Sequence, residues 1–188
     1  MKSIKHILVL AAIIILAASC SDDDPIAVNE EEVITTLTVT LTSQADGTEI
    51  VLNSVDIDGD GPDAPVVTVS GDLVANTIYT GATEVLNETE NPAEDITEEV
   101  LEEGVDHQFF YTFSNGLAST AYTDSDDNGD PIGITFTLTT TDAGSESLTV
   151  SLIHEPNKSG SGVVDGSITN ADGETDIEVT FALTVQKV

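Results

Sequence analysis

Arginine and tryptophan are absent from the 188 residues and lysine nearly so: four Lys stand against 35 Asp or Glu, for a formal charge of −31. Such a surface repels phosphate backbones and anionic headgroups, which excludes nucleic acid as a partner and membrane attachment through a basic patch. A single Cys excludes an internal disulfide and zinc or redox motifs of the CxxC kind. Aromatics are limited to five Phe and three Tyr. No GxSxG, HExxH or phosphate-cradling glycine loop occurs, and nothing singles out a pair of carboxylates for glycoside chemistry, so a non-enzymatic role is expected. What is present, 39% apolar residues, exceeds the share in disordered acidic tails and suffices for one modest core.

The N-terminus carries Lys2 and Lys5, then an unbroken apolar run from Ile7 to Ala18. That run is too short for a comfortable permanent span and has the layout of a signal peptide. It ends in Leu16-Ala17-Ala18-Ser19-Cys20, which resembles a bacterial lipobox. Residues 1–19 are therefore read as a lipoprotein signal and Cys20 as the lipidated new N-terminus, anchoring the protein in the membrane through its acyl chains. Ser21-Asp22-Asp23-Asp24 resembles the export tag of Bacteroidota lipoproteins bound for the outer face of the outer membrane. Residues 20–32 read as an acidic flexible tether and 33–188 as the folded domain. Loss of the signal leaves only Lys158 and Lys187 against all 35 acids.

From Val33 onward apolar residues alternate with threonines at Leu37, Val39 and Leu41 and at Ile134, Phe136 and Leu138, and from Ile177 through Val185 with Glu178, Thr180, Ala182 and Thr184. Period two with one wet face predicts antiparallel sheets. Strands are expected over about 33–43, 48–55, 65–70, 73–87, 106–114, 117–123, 132–141, 146–154 and 174–187. Ala45-Asp46-Gly47, Asp142-Ala143-Gly144 and Ala171-Asp172-Gly173 read as hairpin turns. The expected fold is mainly β, an antiparallel sandwich of about eight or nine strands, with a small barrel as the alternative. One short acidic helix interrupts it, capped by Asn91 with Pro92 at its first position and Glu94 completing a capping box, stopped at Gly104, with Ile96 and Val100 facing inward.

The carboxylates cluster. Glu94, Glu98 and Glu102 share one helix ridge with no cationic neighbour, an arrangement that destabilises a helix and that a cation would relieve. With Asp106 and His107 following, Glu98, Glu102, Asp106 and His107 form a candidate site for a transition ion such as zinc; the plainer reading is a hydrated acidic face. Asp56, Asp58 and Asp60, and again Asp124, Asp126 and Asn128, fit D-x-D-x-[DN]-G, the first half of an EF-hand loop. Position 12 would be Val67 or Thr135 rather than a bidentate Glu, so these are candidate weak calcium turns or ordinary Asp/Gly turns. Phe109, Tyr111 and Phe113 share a core face with His107, while Phe110 points away, covered by the helix or left as a contact. His154-Glu155-Pro156 ends a strand and sets an imidazole beside a carboxylate.

The segments Asn29–Leu41 (NEEEVITTLTVTL), Asp56–Gly61 (DIDGDG), Asn87–Glu99 (NETENPAEDITEE), His107–Phe110 (HQFF), His154–Pro156 (HEP) and Ser167–Phe181 (SITNADGETDIEVTF) together resemble a group of small Bacteroidota lipoproteins. These often carry the label "type 1 periplasmic binding fold superfamily protein". That label denotes a two-lobed α/β architecture with parallel sheets, whereas the alternation here requires an antiparallel all-β domain. The resemblance implies a surface-exposed outer-membrane lipoprotein acting as a binding or accessory module beside a TonB-dependent transporter. A structural or adhesive envelope protein is the alternative.

Overall fold

The computed structural model of the chain describes residues 32–59 and 61–187. Cys20, the Ser21–Asp24 tag and Asp60 lie outside the described residues. The domain is mainly β, in two sheets, one of them strongly curled into a half-barrel, with one short helix. Strand β1 (Thr36–Ser43) sends Leu37, Val39 and Leu41 fully into the core. It forms a hairpin with β2 (Glu49–Val55). Asp46 and Gly47 make the turn: the Asp46 carboxylate accepts from the Thr48 amide at 3.0 Å, and Gly47 takes φ +76°, where a side chain would be strained.

The remaining strands are β3 (Val66–Val69), β4 (Leu73–Val74), β5 (Ile78–Asn87), β6 (Glu94–Asp95), β7 (His107–Phe113), β8 (Ala118–Tyr122), β9 (Thr135–Thr140), β10 (Gly144–His154) and β11 (Glu174–Gln186). The larger sheet runs β3-β2-β1-β5-β9-β8 with β6 appended to β5, and the smaller runs β4-β11-β10-β7. All pairings are antiparallel except the short one between β11 and β4. The inner faces enclose one main core that includes Tyr79, Phe109, Phe136 and Phe181. Gly81 on β5 lies flat against Phe136, where a Cβ would come within 2.3 Å of the ring.

Several expectations are corrected. Residues 73–87 are not one strand: Asn76 turns the chain with φ +55°, sending β4 to the smaller sheet and β5 to the larger. Asp142-Ala143-Gly144 joins strands of different sheets and Ala171-Asp172-Gly173 leads out of a 3-10 turn, Ile168–Asn170, so neither closes a hairpin. The helix α1 (Ile96–Glu102) starts later than expected, because Glu94 and Asp95 pair with β5 and Asp95 caps it, accepting from the Thr97 amide at 3.0 Å. Ile96 and Val100 are buried as anticipated. Phe110 is fully buried, but it is covered by Val163, Ile168 and Ala171 of the segment before β11, beside Ile153, and not by the helix.

Candidate metal centre

Alternation along β7 turns His107 inward with Phe109 and Tyr111, and the register of β7 with β10 sets His154 directly opposite it. The two imidazoles lie with ring centroids 4.6 Å apart. A β-bulge brings a third group. The register between β10 and β11 shifts at Leu152/Ile153, which face Ile177 and Thr175, so Asp176 is the extra residue. Its Oδ2 lies 4.0 Å from His107 Nε2 and its Oδ1 3.8 Å from His154 Nδ1. Bulges re-aim a side chain in this way, against the strict alternation of the strand. Glu32, on the segment entering β1, closes the set with Oε1 3.0 Å from His107 Nε2.

All four side chains are out of solvent: 0% exposed for His107, 3% for Asp176, 9% for His154 and 10% for Glu32. Glu32, His107 and His154 each offer one ligating atom, all within 4.8 Å of one another. Glu32 Oε2, His107 Nε2 and His154 Nδ1 are buried without a hydrogen-bond partner, and the close Glu32 contact is off the direction in which Nε2 would donate. An unsatisfied buried polar atom costs about 1–3 kcal/mol, so convergence of three on one point needs a reason. The other nitrogen of His107 supplies one. Its Nδ1 lies 3.1 Å from the Glu103 carbonyl, which selects the tautomer whose Nε2 lone pair faces the centre. Histidines that bind metals are oriented by that kind of outer bond. Burial works against a charge on His107, but Glu32, the Glu103 carbonyl and Asp176 outweigh it and raise its pKa above the ordinary value.

No family model, curated protein or solved structure matches this chain. The chemistry of the centre therefore has to be read from its own donors. Two imidazole nitrogens with one or two carboxylates suit zinc or another divalent transition ion, while calcium and magnesium take oxygen ligands in larger number. Two ionised carboxylates and two neutral imidazoles would also balance a divalent charge. Glu32 and Asp176 line a surface cleft of about 550 Å³, so the centre has a path to solvent.

The other candidate site residues fare differently. Glu98, Glu102 and Asp106 are exposed, and His107 turns away from them into the core. The fourfold set on the acidic helix is thus not assembled. The Asp124–Asn128 turn forms, but its oxygens are already engaged. Both Asp124 oxygens accept backbone amides, from Gly133 at 2.8 Å and Thr135 at 2.7 Å. Asp126 accepts the amides of Asn128 and Asp130 and pairs with Lys158 Nζ at 2.8 Å. Lys158 also donates to the carbonyls of Gly104 and Pro131, so an ammonium holds the position read as a calcium turn; Asn128 is exposed. In the first turn, Asp58 accepts from the Asp63 amide at 3.2 Å and Asp56 borders the cleft. Asp60 is not among the described residues. His107 and His154 stand out in the sequence, whereas Glu32 reads as part of the tether and Asp176 carries no motif.

Proposed function

We propose that this protein binds one divalent transition ion, with zinc as the representative case, through Glu32, His107, His154 and Asp176. The observation that carries this is the convergence of three buried ligating atoms lacking hydrogen-bond partners, with His107 oriented by the Glu103 carbonyl. The lipobox ending at Cys20 and the Ser21–Asp24 tag support the setting: a lipid-anchored module at the outer face of an outer membrane. The resemblance to Bacteroidota lipoproteins supports a binding or accessory role beside a TonB-dependent transporter.

Zinc at about a hundred times its dissociation constant stabilises the folded state by about 2.7 kcal/mol, a rise in melting temperature of roughly 5–10 °C for a domain of this size. His107→Ala and His154→Ala abolish that rise, while Glu98→Gln and Glu102→Gln, on the exposed ridge, leave it intact. An unchanged melting curve in zinc, or a rise that survives both histidine substitutions, overturns the assignment.

A further inference from the structure

Strand β11 is paired along one flank with β10, but on the other only Val185 and Gln186 are paired, with β4. Its second flank from Asp176 to Thr180 borders the 550 Å³ cleft, whose facing wall includes Asp56, Pro65 and Val67. Across that seam β3, which touches β11 without pairing to it, is itself the end strand of the larger sheet. Unpaired strand edges are usually shortened or covered, because they recruit other strands. This one is instead bordered by apolar surface. Of the eight large apolar side chains exposed among the described residues, Val33, Ile57, Val66 and Val67 stand in or beside the cleft.

The charge of the seam selects its occupant. With Glu32 and Asp176 engaged at the metal centre, Asp56 and Glu178 still edge the cleft, and no lysine lines it among the described residues. A second copy of this chain would bring another −31. The chain's own N-terminal arm carries Asp22, Asp23, Asp24, Glu30 and Glu31, charges of the same sign as those of the cleft. We propose that the cleft receives an extended basic segment of another protein, adding as a strand to the open flank of β11, with apolar side chains on the valines and lysine or arginine at Asp56 and Glu178. Main-chain bonds would give such a complex its affinity and the acidic rim its specificity.

The test is a titration of the full chain, with chelator present so that it does not depend on the metal centre, using a short capped peptide of alternating Lys and Val. Binding should slow exchange at those amides of Asp176–Thr180 that point away from β10. Asp56→Lys with Glu178→Lys should weaken it by about tenfold or more, as should added salt. A peptide of the same sequence N-methylated at alternate residues leaves the protein untouched and should not bind. The proposal is overturned if the N-methylated peptide, or one of alternating Glu and Val, binds as tightly as the Lys-Val peptide. It is also overturned if Asp176–Thr180 are protected without peptide in a way that fades on dilution, which would mean a second copy, or on deletion of residues 21–31, which would mean the chain's own arm.

Discussion

At the scale of single residues, His107 decides most. In the metal-free protein its pKa is raised above the ordinary value near 6.5. A raised value means that the folded state holds the proton more tightly than the unfolded chain. Its contribution to stability is therefore complete below about pH 6.5 and is lost as pH rises through the folded-state value. Zinc reverses the trend, since the ion competes with protons for the same nitrogen. Compared at about pH 6 and about pH 8.5, chelator-treated protein should accordingly be the less stable at the higher pH, relative to His107→Gln, whereas the stabilisation by zinc should be larger there. Urea titrations at the two pH values, with and without zinc, measure both slopes; parallel curves for His107→Gln and the unchanged protein would contradict the assignment. His107 was legible in the sequence because it shares the period-two register of Phe109, Tyr111 and Phe113 in β7. Asp176 was not, since alternation along β11 assigns it to the outer face and only the bulge opposite Leu152/Ile153 turns it inward. Glu32 precedes the first strand, where no periodicity marks it as part of the fold.

At the scale of elements, helix geometry already argued against the acidic ridge as a ligand set. Ile96 and Val100 face the core, and a residue two positions from each lies on the far side of the helix, which places Glu98 and Glu102 in water. The D-x-D-x-N-G turn was legible as a turn, but its cation was not. Lys158 is distant in sequence, and the loop that delivers it has no pattern of its own. Its ammonium is nearly enclosed, with two carbonyls and Asp126 as acceptors. Lys158→Ala strands these acceptors and should cost about 3–5 kcal/mol, measured by urea unfolding. Calcium should not restore the loss, because the Asp124 oxygens remain bound to backbone amides. Recovery of stability in calcium would show that the turn is an ion site after all.

For the whole molecule, the alternating Thr-rich strands gave the antiparallel class directly, and most strand positions follow from it. The assignment of strands to sheets was not legible, because it depends on breaks such as Asn76 and on turns that cross between sheets. The formal charge of −31 acts on the compact state as a whole. Self-repulsion is screened by salt, so the melting temperature should rise by a few degrees between about 10 mM and 300 mM sodium chloride, independently of zinc. A fall over that range would mean that specific ion pairs outweigh the net charge. Whether this acidic surface encloses one built transition-metal centre is decided by anomalous diffraction at the zinc edge from crystals grown with the ion. One strong peak is expected at about 2.0–2.2 Å from His107 Nε2 and His154 Nδ1, with carboxylate oxygen from Glu32 or Asp176 beside it. A peak on Glu98, Glu102 and Asp106, or none between the two histidines, would contradict it.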